Sequence, residues 1–103
     1  MERKFILNGI TFIWNEEKAR QNKIKHKGVT FERAIEAFFD PFLVVVDASR
    51  NYEARDAIIA MDKQNYLLFV VHLQQEDDMI RIISARKERN YYCLLYTSDA
   101  ADE

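Results

Sequence analysis

Three apolar runs follow one another in the second half of the chain: "RDAIIAM" (55–61), "YLLFVVHL" (66–73) and "MIRIISA" (79–85). Each is rich in β-branched and aromatic residues and bounded by polar ones, the pattern of successive strands. The acidic "QQEDD" turns the second run into the third. "FLVVVD" (42–47) adds a strand before them by the same β-branching, and the polar stretch from Ala48 to Ala54 connects it. "KFILNGITFIW" near the start reads as a hairpin on Asn8-Gly9, because a two-residue turn needs positive φ at both positions. In that register Phe5, Leu7, Ile10, Phe12 and Trp14 share one face, which is expected to be the core face.

Between the hairpin and the later strands the period changes. Asn15 is placed to cap a helix whose first turn carries Glu16 and Glu17, where acids favour the dipole. That helix is predicted to run to about His26 and stop near Gly28. Its apolar content is thin, Ala19 and Ile24, so it is expected on the surface. Thr30 then caps a second helix. Phe31, Ala34, Ile35, Phe38 and Phe39 fall at i, i+3, i+4, i+7 and i+8, an amphipathic stripe ended by Asp40-Pro41. The order β-β-α-α-β-β-β-β implies an α+β domain, a mostly antiparallel sheet with helices on one side.

At 103 residues, 49% hydrophobic, with two glycines and one proline, the chain is expected to form one domain without linkers. Residues 1–92 are read as that domain. "CLLYTSDAADE" (93–103) lacks the periodicity and the bases of what precedes it and is read as an atypical, disordered tail. No run approaches about 18 apolar residues, so no membrane span is expected. The first residues, "MERKFILNGI", turn polar too quickly for a signal peptide. Cys93 is single, which leaves no internal disulfide and no metal cluster. A cytoplasmic setting is the expectation.

The net charge of −2 argues at first against a nucleic-acid partner. Its distribution argues otherwise. Residues 93–103 hold Asp99, Asp102 and Glu103 and no base; without them the 15 bases outnumber the acids. Lys18, Arg20, Lys23, Lys25 and Lys27 occur with no acid among them, and Arg81, Arg86, Lys87 and Arg89 are opposed only by Glu88. Local field governs the capture of a phosphate.

Each candidate has a plain and a functional reading. Lys25 and His26 suit a helix end, where cations complement the macrodipole, and also suit acid/base work near neutral pH. Alternation places Arg81 with Ile83 and Ala85, toward the core side, and Ile80, Ile82 and Ser84 on the other face. A half-sunk arginine needs a carboxylate, for which Asp56 or Glu53 would serve, or a bound anion. Arg86, just past that strand, is able to aim at the same place, and guanidinium groups bind phosphate through paired hydrogen bonds. Arg55 reads as an exposed ion pair or a further anion contact. His72, inside an apolar strand, reads first as a satisfied core residue. Tyr91 and Tyr92 either stack on a base or cover a core edge. There is no metal motif, Gly-rich phosphate loop or serine elbow, so a hydrolase built here is metal-free, needs no cofactor and works through cations.

The segments "FIWNEEKARQNKIKHKGVTFERAIEAFFDP", "ARDAIIA" and "LLFVVHLQQEDDMIRIISARK" together resemble the BrnT family of bacterial toxins. The resemblance runs from about Phe12 to Arg89, in order and spacing. Its most specific parts are the Trp-Asn-Glu-Glu-Lys opening, Lys25-His26 before Gly-Val-Thr-Phe, and Arg81-Ile-Ile-Ser-Ala-Arg86. It implies a RelE-like fold, a ribonuclease activity, and a BrnA-like antitoxin with a ribbon-helix-helix region through which the complex would reach operator DNA. By position, Lys25, His26, Arg55, Arg81 and Arg86 fall on the family's polar motif residues. Two departures stand out. Lys27 separates His26 from Gly28, where many members pass directly from His to Gly, and the basic terminal helix after Arg86 is shortened.

Two functions follow from different classes. In the first, the protein is a metal-independent endoribonuclease toxin. His26, with Lys25 beside it, moves protons, and Arg55, Arg81 and Arg86 hold the developing phosphorane charge. Lys23, Lys27, Lys87, Arg89 and Tyr91 bind the RNA. In the second, the same basic face only docks RNA or an antitoxin without cutting.

Overall fold

A computed structural model of the chain describes residues 1–88. Its elements in order are β1 (Glu2–Leu7), β2 (Ile10–Asn15), α1 (Glu16–Lys25), α2 (Phe31–Ala37), β3 (Val44–Asp47), β4 (Asp56–Met61), β5 (Leu67–Glu76) and β6 (Met79–Lys87). The six strands form one sheet in the order β1-β2-β6-β5-β4-β3. All neighbours are antiparallel except β2 and β6, which run parallel. The α+β class, the mostly antiparallel sheet and the two helices are therefore as the sequence implies.

The local signals act where they were read. Asn8 (φ 52°) and Gly9 (φ 80°) make the two-residue hairpin turn, pairing Phe5 with Phe12 and Leu7 with Ile10. The Asn15 side chain accepts from the Lys18 N–H at 3.0 Å, and the Thr30 hydroxyl accepts from the Arg33 N–H at 3.1 Å, so both caps form. α2 lays Phe31, Ala34 and Ile35 on one face of the sheet, against Phe12, Trp14, Ile58, Leu68, Val70 and Ile82. Phe31 meets Trp14 edge-on at 5.9 Å, and Phe38 tilts against Phe12 at 5.3 Å. No helix among the described residues is long and apolar enough to cross a membrane.

Four details differ from the sequence reading. Phe5 and Leu7 stay exposed, because β1 is the sheet's outer strand and α2 does not reach over it. α2 ends at Ala37; Phe38 and Phe39 pack from the following turn. β5 runs on to Glu76, which leaves Asp77-Asp78 as the turn. The core face of β6 is not the expected one, and its alternation breaks once. Ile80, Ile82 and Ala85 are the core side, and Arg81 is on the other. The two isoleucines take the core in preference to the arginine, and a bulge then brings Ala85 to their side. His72 pairs with Ile82 but Val71 pairs with Ser84, so Ile83 is the extra residue. Past it the parity shifts, and Arg81, Ser84 and Arg86 all face away from α2, opposite Leu73, Val71 and Phe69 respectively.

α1 packs Ala19 against the core and, further along, closes an edge. β2 pairs with β6 only from Met79 to Arg81. Further along, Ala85 turns its N–H and C=O to the side away from β5. The Asn22 carboxamide meets both: its nitrogen donates to the Ala85 carbonyl at 2.8 Å and its oxygen accepts from the Ala85 N–H at 3.1 Å. One buried side chain thus stands in for a missing strand. The sequence reading took α1 for a surface helix on Ala19 and Ile24. Ile24 is indeed exposed, Ala19 packs against the core, and the one buried residue of the helix is polar, Asn22.

Candidate functional site

The end of α1 is a Schellman-type stop. The Gly28 N–H reaches the Lys23 carbonyl at 2.7 Å, and Lys27 takes the left-handed conformation (φ 56°) before Gly28 (φ 88°). His26 is the cap, its N–H donating to the Asn22 carbonyl at 2.8 Å. This stop carries the imidazole from the edge of β6 toward the face of Ser84 and Arg86.

On the far side of that face, β3 and β4 are joined by a tight excursion. The Asp47 carboxylate accepts from the Ser49 N–H at 2.9 Å and from its hydroxyl at 2.6 Å. These bonds hold Asp47 below its usual carboxylate value, the hydroxyl contributing most. The Ser49 hydroxyl also accepts from the Arg55 N–H at 3.2 Å, and Arg50 and Glu53 bridge the backbone. The chain is thereby folded back so that Arg50 and Arg55 lean over the sheet.

Together these segments enclose a cavity of about 380 Å³, lined by His26, Asp47, Ala48, Ser49, Arg50, Arg55, Phe69, Val71, Ser84 and Arg86. Its floor is the sheet face opposite α2, and its walls are the end of α1 and the β3–β4 loop. One carboxylate faces three guanidinium groups and an imidazole. Arg86 lies over the Phe69 ring at 4.4 Å and bonds Glu88 at 2.8 Å. Arg55 bonds Glu53 at 2.5 Å, while its Nε is buried without a partner. His26 is pushed below its ordinary 6.5, chiefly by burial, then by the Lys25 charge, then by that of Arg86. At neutral pH its imidazole is therefore uncharged and able to accept a proton.

Of the five residues expected to carry the chemistry, His26, Arg55 and Arg86 line this one cavity although they come from three stretches of chain. Lys25 lines an adjoining cavity of about 210 Å³ with Lys18, Asn22, His26 and Ser84, so the two meet at His26 and Ser84. Arg81 shares the sheet face but does not line either cavity; its guanidinium pairs with Glu2 of β1, not with Asp56 or Glu53. Among the expected RNA contacts, Lys23 lines a separate cavity of about 490 Å³ in which Arg3 and Arg20 are opposed by Glu16 and Glu32. Lys27 is exposed at the helix stop. Lys87 sits over the Tyr66 ring at 4.2 Å, toward the opposite face from Arg86. Arg89, Tyr91 and Tyr92, and the stretch 93–103, lie outside the described residues.

His72 is a core residue, as its surroundings in sequence suggested. It is buried, its ring meets Phe38 edge-on at 4.9 Å, and Nδ1 lies 3.4 Å from the Val70 carbonyl. Burial pushes it below 6.5. Sequence reasoning missed Asn22, Asp47, Ser49, Arg50 and Ser84. Asp47-Ala48-Ser49 carries a readable signal, an aspartate placed to bond two residues on. Ser84 was expected away from the core, where it is, but on the face opposite Arg81; the bulge brings the two to one face. Among the described residues no three His, Cys, Asp or Glu side chains gather as a metal site.

No curated protein matches the chain. The sequence model described as "Ribonuclease toxin, BrnT, of type II toxin-antitoxin system" matches residues 14–91. That span takes in every element that builds the cavity, from Trp14 at the end of the hairpin to Arg86 on the last strand, and by it the chain belongs to the BrnT family of ribonuclease toxins.

Proposed function

We propose that the protein is a metal-independent endoribonuclease acting in the cytoplasm, with the cavity at His26 as its active site and the RelE-like architecture as its scaffold. The observation that carries the reading is the meeting of His26, Arg55 and Arg86 at one cavity. Neutral His26 takes the proton from the ribose 2′-OH, whose oxygen attacks the adjacent phosphorus. Arg86 and Arg55 bond the non-bridging oxygens as charge builds on them, the work of an oxyanion hole. Lys25, in the adjoining cavity, gives the leaving 5′-oxygen its proton. One strand end is then a 2′,3′-cyclic phosphate and the other a free 5′-OH. Arg81 holds a flanking phosphate once Glu2 releases it, so Arg81→Ala raises KM more than it lowers kcat.

The test is cleavage of single-stranded RNA by purified protein in EDTA. His26→Gln and Arg86→Ala are each expected to cut about 100- to 1,000-fold more slowly, the usual loss when one such group is removed. Cleavage that needs added metal, or that survives both substitutions, overturns the proposal.

Membership in a type II toxin–antitoxin family implies an antitoxin partner. The proposed one is a BrnA-like ribbon-helix-helix protein, with operator DNA bound through it alone. Co-expression with the neighbouring reading frame should yield a stable complex. A second reading has its own support. Arg55, Arg81 and Arg86 are all paired with carboxylates of the same chain, Glu53, Glu2 and Glu88. Cations satisfied in this way suit docking as well as catalysis. RNA binding that falls with salt and gives no product would select this reading.

A further inference from the structure

The cavity depends on two groups held by separate elements: His26 on the end of α1 and Arg86 on β6. Only one described side chain bonds both the backbone of α1's exit and that of β6, and it is Asn22. Its nitrogen donates to the Ala85 carbonyl at 2.8 Å and also to the Val29 carbonyl at 3.1 Å. Its oxygen accepts from the Ala85 N–H at 3.1 Å. Its own carbonyl accepts from the N–H of His26 at 2.8 Å. Ala85 lies between Ser84 and Arg86, both lining the cavity. The side chain is buried, and the carboxamide makes a donor bond from nitrogen to each of two carbonyls. One residue therefore bonds directly to the neighbour of Arg86 and, through one turn of helix, to the cap that bears the imidazole.

We propose that Asn22 is a positioning residue: its carboxamide fixes the end of α1 against β6 and so sets the separation of the His26 imidazole from the Arg86 guanidinium. This deepens the nuclease reading and rests on it for its catalytic consequence, though the geometric consequence stands by itself. A serine or alanine at position 22 cannot bridge Ala85 and Val29 together. The helix end then moves off the strand, and His26 gains water and distance from Arg86. Lys25 travels with the same helix, so its influence on His26 stays. The other charged groups facing His26 are Asp47, Arg50 and Arg55 from the β3–β4 side and Lys18 from α1. Those on the β3–β4 side do not bond Asn22.

The experiment is a proton NMR titration of the histidines in Asn22→Ala and Asn22→Ser, beside kcat and KM for RNA cleavage. The chain has two histidines, His26 and His72, and His26→Gln assigns them. The expected result is that the His26 midpoint rises toward 6.5 while His72 stays. In parallel kcat should fall about 10- to 100-fold, as for a misplacement near 1 Å, with KM within about twofold. A lower melting temperature with unchanged His26 midpoint and kcat makes Asn22 merely structural and overturns the proposal. If Asn22→Ala does not fold, Asn22→Ser, which keeps an acceptor for the Ala85 N–H, decides by the same readout. Should the wild type cut no RNA yet the His26 midpoint shift, the nuclease reading fails and the positioning role stands. Should it cut RNA while neither midpoint nor kcat responds to position 22, the positioning role alone fails.

Discussion

At residue 27 the backbone takes a conformation that residues with side chains rarely adopt. Lys27 holds the left-handed position at the end of α1, with Gly28 beyond it. Glycine is the usual occupant, because a Cβ there crowds the backbone. Lys27→Gly is expected to stabilise the fold by about 1 kcal/mol, read as a melting temperature higher by a few degrees. A drop would show that the lysine stem is needed where it lies. The three guanidinium groups also differ in a way residue types alone do not reveal. Arg55 and Arg86 line the cavity, and Arg81 is held at the side by Glu2.

Among the elements, those with chemically explicit ends were legible. The Asn8-Gly9 turn, the Asn15 and Thr30 caps and the α2 stripe each follow from one local rule, and each forms. What was not legible depends on partners distant in sequence. Nothing near Phe5 says that β1 will be an outer strand. Nothing near Asn22 says that a carboxamide will stand in for a strand 63 residues away. The bulge at Ile83 is set by pairing with β5, and the sequence of β6 alone favours simple alternation. Buried polar links of this kind hold the elements in register. Asp62, with no exposed side-chain surface, joins the β4–β5 turn to α2: it accepts from Arg33 Nε at 2.8 Å and from the N–H groups of Gln64 and Tyr66 at 2.9 and 3.0 Å. Asp62→Ala is expected to cost about 3 kcal/mol, measured by urea unfolding. A loss below about 0.5 kcal/mol would mean the pair behaves as a surface one.

For the molecule as a whole, acid acts through its two imidazoles first. Both are held below 6.5 in the fold, largely by burial. In the window just under 6.5 the unfolded chain therefore binds more protons than the native one. The stability that neutral His26 and His72 confer is fully present above 6.5 and is lost as the pH falls from there toward their lower folded values. Unfolding midpoints measured from pH 7.5 to 5 should fall across that window. In His72→Gln the fall should shrink, and an unchanged pH response would rule out the buried imidazole as its source. On the proposed mechanism, RNA cleavage should keep its neutral rate below pH 6.5 and decline only nearer the folded His26 value. The segment from Arg81 to Arg86 has a consequence at this scale too. The two arginines are an odd number of positions apart, and only the unpaired Ile83 lets both point the same way. Deleting Ile83 would leave them four apart, so a regular ladder would still turn Arg81, Ser84 and Arg86 to one face and Ile80, Ile82 and Ala85 to the core. A copy of the chain one codon shorter there is therefore expected to fold and still present Arg86, whereas one with the full hexapeptide but no bulge would have to bury Arg86 and lose Ala85 from the core.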